Sequence, residues 1–311
     1  MNNHLIYILI IILSLVACSE KDETNNSLKP SKTRQTIVQA SAINSKLEKG
    51  EDVYYANSVI VGEIKFTETE EQAIQTPQII RHYSNSSVFF SNCTFQGALT
   101  AYKRNEQVGH FLQFSKNLSF LNCTFQSKVN FSEADFSGAV LFRHATFQDS
   151  VSFQGASFNY KHNYFNLCMF YGFTDFSRTR FLGKLSAVKS EFHENLLFSS
   201  SMFVGDVNFA ATSYFKKSVF TSNSYRGQFL FRQSQFSDKA TFNNSQFFGE
   251  AYFSELKSDS LISIQNCRFI NLPDTSGNYN AKISLKDSRY IETKSFDTGR
   301  VYNSSKIKYQ Q

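Results

Sequence analysis

The chain has no tryptophan and, over 311 residues, only 3 prolines and 13 glycines. Against that scarcity stand 34 phenylalanines and 15 tyrosines, so one aromatic side chain is being used repeatedly in one structural role, a bias that calls for a search for repeats. Catalytic signatures are missing too. There is no G-x-S-x-G, no glycine-rich phosphate loop and no C-x-x-C, and His193-Glu194 lacks the second histidine four residues on that a zinc-protease helix needs. His82, His110, His144 and His162 share no ligand spacing with His193. Nor does charge of one sign accumulate. The formal net charge is +6, and Arg178, Arg180, Lys184, Lys189, Lys216 and Lys217 are interleaved with Asp and Glu, so nothing supports nucleic acid as a partner.

The first residues read as a processing signal. An apolar run over residues 5–16, too short for a membrane span of about 20 residues, leads into Leu15-Val16-Ala17-Cys18. This resembles the bacterial lipobox, which implies cleavage after residue 17 and acylation of Cys18, although the segment ahead of the run carries no Lys or Arg. Each buried CH₂ of the acyl chains adds about 0.8 kcal/mol, so the membrane attachment through Cys18 would be stable. Residues 18–34 then form the lipidated cysteine and a polar, core-free tether. Its Lys21-Asp22-Glu23 is similar to an acidic signal that routes some lipoproteins to the cell exterior, and reads equally as solvated linker.

Beyond the tether, aromatics fall on two interleaved rows of period 11. One runs Phe176, Phe198, Phe209, Phe220, Phe231, Phe242, with Ala187 in the place between Phe176 and Phe198; the other runs Phe170, Phe181, Phe192, Phe203, Tyr214, Tyr225. Upstream, Phe120, Phe131, Phe142 and Phe153 continue the pattern one residue out of phase, which places a single extra residue in the polar stretch 159–163. Two positions before each Phe sits a β-branched residue in one row (Val129, Val140, Val151, Val207) or a small one in the other (Ala134, Ala145, Ser201, Ser234). An inward i, i+2 pair is strand periodicity, since a helix needs spacings of 3 and 4. The unit is V-x-F-x-x-A-x-F-x-x-x.

Phe131-Ser132-Glu133-Ala134-Asp135-Phe136 and Phe153-Gln154-Gly155-Ala156-Ser157-Phe158 resemble the pentapeptide-repeat family, in a Phe-centred variant with Phe in place of the central Leu. That resemblance implies an all-β fold, a right-handed parallel β-solenoid of quadrilateral section with about 22 residues per coil. It also implies an N-terminal capping helix. Residues 35–50 fit one through the helical spacing of Ile37, Ala40, Ile43 and Leu47, with Gly50 as the residue past its end. The expected organisation is signal peptide 1–17, tether 18–34, capping helix 35–50, solenoid 51–271, and an irregular cap and tail over 272–311. Residues 96–110 interrupt the pattern, as a loop excursion or as a less regular coil.

Cys93, Cys123, Cys168 and Cys267 all take the small position two residues before a Phe. Their spacings of 30, 45 and 99 put no two of them one 22-residue coil apart, so they read as buried small thiols, with disulfides left open by the export route. Glu191 with Glu194, or Asp135 with Asp149, are the carboxylate pairs an acid–base site would need, and the solvated face of a repeat is the plainer reading. No catalytic, cofactor-binding or metal-binding residue is assigned. Some pentapeptide-repeat proteins imitate DNA through an acidic surface, for which this chain has the wrong sign. The expectation is a non-enzymatic envelope lipoprotein of the outer membrane, with display at the cell surface left open, scaffolding protein or glycan partners. Tyr160, Phe248 and Tyr252 are the outward contact candidates. The competing expectation is a polysaccharide-acting lyase or hydrolase on a β-helix, with residues 96–110 building its site.

Overall fold

A computed structural model describes residues 35–66, 71–72, 79–104 and 109–290. The signal peptide, Cys18, the tether and the tail from residue 291 lie outside the described residues. Within them the chain winds as an all-β parallel solenoid of about 11 turns.

Each coil lays down four short strands, one per wall: Val140–Arg143 (wall 1), Thr146–Phe147 (wall 2), Val151–Ser152 (wall 3) and Ser157–Phe158 (wall 4). Walls 2 and 3 belong to a 19-stranded sheet, wall 4 to a 12-stranded sheet and wall 1 to a 9-stranded sheet. In the regular region residues 22 apart face each other across the ladders, as Phe229 faces Val207 and Ala251 faces Phe229. The single-residue phase change is real. Tyr164 faces Leu141 and Arg180 faces Ser157, one residue more than the regular step, and the extra residue falls at the exposed corner after Phe158, where no ladder bond is lost.

Strand alternation turns the β-branched residue and Phe of each unit inward, and one coil buries Val207, Phe209, Thr212, Tyr214, Ser218, Phe220, Asn223 and Tyr225. Rings of successive coils therefore stack. In wall 3 the centroids of Phe131 and Phe153, Phe153 and Phe176, and Phe176 and Phe198 are 5.5, 4.9 and 4.6 Å apart. In wall 2 the column from Phe95 through Phe125, Phe147 and Phe170 to Phe192 keeps 4.6–4.8 Å. Each buried ring contributes about 1.5–3 kcal/mol, and the stacking adds to it.

Two kinds of corner join the walls. After walls 1 and 3, the second residue past each Phe is left-handed: Asn122, Glu133, His144, Gly155, Leu167 and Arg178 all have φ between 52° and 71°. Only glycine adopts this freely, and asparagine tolerates it better than most; a β-branched side chain occurs at none of these corners. Inter-coil bonds such as Glu133 N–H to the Gln154 carbonyl, 2.7 Å, hold the strained residues in place. After wall 4, Gly183, Gly205, Gly227 and Gly249 stack on one another so closely that a Cβ on Gly227 would lie 2.6 Å from the Gly205 carbonyl carbon.

Inside the corners runs a polar relay. The side chain two residues before the second Phe donates to the carbonyl of the first Phe one coil back: Ser190 to Phe165 at 2.6 Å, Ser234 to Phe209 at 2.8 Å and Ser245 to Phe220 at 3.1 Å. The same oxygens accept main-chain N–H groups, as Ser190 does from Cys168 at 3.0 Å. Where the slot holds Ala134 or Ala156, the N–H bonds within its own turn, to Phe131 or Phe153. Small polar residues in this buried slot thus satisfy corner groups that the ladders miss. Tyr225 accepts from Asn223 at 2.9 Å. The Tyr214 hydroxyl has no partner of ordinary geometry.

The N-terminal end is closed by a helix, Ala40–Glu48, that buries Ala40, Ile43 and Leu47. Its C-terminus is a Schellman arrangement: Gly50 at φ 65 donates to Leu47 at 3.1 Å and Glu51 donates to Lys46 at 2.9 Å. Ile37 does not join it. Thr36–Gln39 is a strand on Ser58–Val61, leaving Ile37 69% exposed, because the first coil's wall 2 edge captures the segment before the helix begins.

The first coils are wider. Asn57, Asn92 and Asn122 stack at equivalent corners at separations of 35 and 30 residues. Residues 96–110 supply both a regular and an irregular part: Leu99–Thr100 stays in wall 3 on Val129–Asn130, and Tyr102–Arg104 then pairs antiparallel with Gly109–Phe114. A second antiparallel pair, Glu71–Gln72 with Ile79–Ser84, sits one coil earlier, and the two long strands run parallel in register. His82 Nε2 and His110 Nδ1 meet between them at 2.9 Å. At the other end the winding continues through Asn280–Ser284 and Arg289–Tyr290.

Gly227→Ala is expected to lower stability by about 1–3 kcal/mol, read from the urea midpoint by circular dichroism, since the new methyl meets the backbone of the coil below. Tyr214→Phe is expected to be neutral or stabilising by up to about 1 kcal/mol, whereas Tyr225→Phe, which strips a partner from Asn223, should cost about 1 kcal/mol. Equal losses in the two variants would contradict the assignment of their hydroxyls.

Candidate interaction face

With the interior filled by rings, the outer walls and corners carry whatever recognition the molecule performs. Their logic follows from the winding: positions one coil apart lie about 4.8 Å apart, so a side-chain type repeated in one register becomes a continuous strip. At the corner after wall 2 the register reads Gln126, Gln148, Tyr171, His193, Phe215. Tyr171 and His193 stack at 4.4 Å and 23°, and His193 and Phe215 at 4.5 Å and 14°. Tyr171 is 45% and Phe215 40% exposed. Phe173 and Met169 are exposed beside them, with the Tyr171 hydroxyl 3.7 Å from the Met169 sulfur.

Glu191 flanks the strip and meets His193 Nε2 at 3.0 Å. Glu194, Lys216 and Lys217 follow along the same corner. The result is an apolar ribbon three coils tall with charge of both signs on its margin. His193 is covered on both faces by its neighbours, so the strip presents mostly ring edges along its length, with one face of Tyr171 and one of Phe215 not covered by another ring among the described residues. That suits packing against apolar side chains; a sugar ring that stacks on an aromatic needs an uncovered face.

The residues singled out by sequence do not gather here. Tyr160 and Phe248 are exposed near the wall 4 corners, several coils apart. Tyr252 lies on wall 1, capped by Arg232 at 4.2 Å and donating to Glu250 at 2.7 Å. The strip Tyr171, His193 and Phe215 was missed, although a column of residues 22 apart, read immediately after the wall 2 Phe, would have found it.

Among the carboxylates, Asp135 lies on wall 4 and Asp149 at the corner after wall 2, so the winding holds them apart. Burial raises Asp135, with Arg81 and the Asn159 amide pulling the other way. Glu133 reaches across Gly155, whose Cβ would collide with its carboxylate, to Arg178 at 3.8 Å, a surface pair of little energetic weight. No cluster of three or more His, Cys, Asp or Glu with metal-binding geometry occurs among the described residues.

All four solenoid cysteines are buried and free. Their placement corrects one sequence inference. Thr94 faces Thr124 across wall 2, so Cys93 and Cys123 do lie one coil apart: the 30 residues between them are a single widened coil, not a fraction of two regular ones.

The family model described as pentapeptide repeats (9 copies) matches residues 113–159, where gaps of 5 and 6 between aromatics alternate without interruption. Residues 113–159 carry pentapeptide repeats. No curated protein and no solved structure matches it. The coils on either side of the matched residues keep the same four walls and the same ladders, which makes this a structural repeat protein. Among the described residues no helix is long and apolar enough to cross a membrane.

Proposed function

We propose that this pentapeptide-repeat protein is a lipid-anchored, non-catalytic scaffold of the cell envelope that recruits a protein partner through the Tyr171, His193, Phe215 strip. The observation that carries this reading is the strip itself. Three rings stacked edge-outward, with Met169 and Phe173 exposed beside them, form an apolar surface of the kind that marks interaction sites. A rigid solenoid has no internal use for rings there, because every inward position is already filled.

The Leu15-Val16-Ala17-Cys18 motif supports anchoring to the outer membrane through acyl chains on Cys18, followed by a polar tether that frees the rod from the bilayer. Lys21-Asp22-Glu23 supports onward display at the cell surface. Edge-on rings favour protein over glycan as the partner. Residues 96–110, which a polysaccharide-acting enzyme would use to build its site, are largely spent on wall 3 and a stacked hairpin arm.

Labelled fatty acid is expected to enter the wild-type chain and not Cys18→Ala; equal labelling of the two would overturn the anchor. A photo-crosslinking amino acid at position 193, in intact cells, should give a discrete protein adduct that the same group at position 252 does not. Identical patterns from both positions, or retention and cleavage of charged glycans by the purified chain, would overturn the scaffold reading.

A further inference from the structure

Cys93 and Cys123 occupy the same inward corner slot in successive coils. Thr94 faces Thr124 and Phe95 faces Phe125 in parallel register, which places the two preceding α-carbons about one interstrand spacing, 4.8 Å, apart. Disulfides span Cα separations of about 4.4–6.8 Å. The slot also aligns the side chains. In the equivalent slot after wall 3, Thr179 and Ser201, one coil apart, bring their hydroxyl oxygens to 3.1 Å.

Both thiols are buried and aimed the same way. Cys93 Sγ lies 3.3 Å from the Ser91 carbonyl and 3.6 Å from that of Tyr55; Cys123 Sγ lies 3.3 Å from Leu121 and 3.6 Å from Phe90. Interaction with the neighbouring Cys123 thiol holds Cys93 down at about 7, while burial pushes Cys123 up. Among the described residues no other cysteines are so placed: Ala145 separates Cys168 from Cys123 in this column, and Cys267 is in the column of the other corner.

We infer that Cys93 and Cys123 are a dithiol that closes to an intramolecular disulfide, tying the widened coil that carries the Tyr102–Arg104 and Gly109–Phe114 hairpin to the regular coil that follows it. The oxidant is a disulfide of the export compartment. Cys93 thiolate attacks one sulfur of that disulfide and expels the first thiolate; Cys123 gives its proton to that thiolate and attacks Cys93 Sγ, expelling the second. Two electrons leave the protein and one disulfide is reduced to two thiols. Because the pair is buried in coils near the N-terminal end, exchange proceeds as those coils form or open locally. The geometry of the pair does not rest on the proposed partner or anchor; the cellular oxidant rests on the proposed export of the chain, and the test below supplies its own oxidant.

The test is oxidation of the full purified chain with glutathione disulfide, followed by denaturation, alkylation and mass mapping. The expected result is that Cys168 and Cys267 alkylate, that Cys93 and Cys123 appear only as one cross-linked peptide with the mass of two hydrogens lost, that dithiothreitol reverses this, and that the oxidised form melts higher. Cys168→Ser with Cys267→Ser, which leaves the pair intact, should behave identically; Cys93→Ser should leave Cys123 alkylated. Alkylation of all four solenoid cysteines after oxidation, or cross-links distributed over several pairs, would overturn the inference.

Discussion

A β-ladder and a column of stacked rings share nearly the same repeat, and the structure depends on that coincidence. Parallel strands lie about 4.8 Å apart, and ring centroids in the wall 2 column lie 4.6–4.8 Å apart. A Phe repeated in register therefore stacks on its predecessor without straining the main chain, and each new coil gains ladder bonds and ring contacts together. Cooperation is confined to neighbours, so stability grows coil by coil, and the ends must be closed separately. The helix Ala40–Glu48 does this at the N-terminal end with Ala40, Ile43 and Leu47.

The same constraint dictates where irregularity is allowed. An extra residue inside a strand would turn every following side chain to the wrong face, so departures collect at corners: one residue after Phe158, and the hairpin arms in the wide coils. Corners impose conditions of their own. Those after walls 1 and 3 demand a left-handed residue, those after wall 4 favour glycine where successive coils close in, and the buried slots use Ser, Thr, Asn or Cys to satisfy main-chain groups. The cysteines thus belong to a polar relay as well as to an apolar core, and the 30-residue coil brings two of them together.

Outside the walls the winding acts as a copying device. It converts a local choice, an aromatic in place of Gln148 at one register, into a ribbon of stacked rings. Edge-on presentation distinguishes the Tyr171, His193, Phe215 strip from isolated surface aromatics such as Tyr160 and Phe248, which have no ring neighbour in the same register.

The residues themselves determined the strand period, the Phe columns, the corner at 159–163 and the helix ending at Gly50, because each follows from spacing along one chain and inward alternation; the four-walled coil was implied by the family resemblance. What only the tertiary structure decided was whatever depends on coil length: Ile37 in a strand instead of the helix, residues 96–110 divided between wall and hairpin, Cys93 stacked on Cys123, and the outer strip. A regular repeat predicts its own contacts, since a fixed step names every neighbour. Once a coil takes up extra residues that step is lost, and which side chains meet is settled by inter-coil hydrogen bonds that local sequence does not encode.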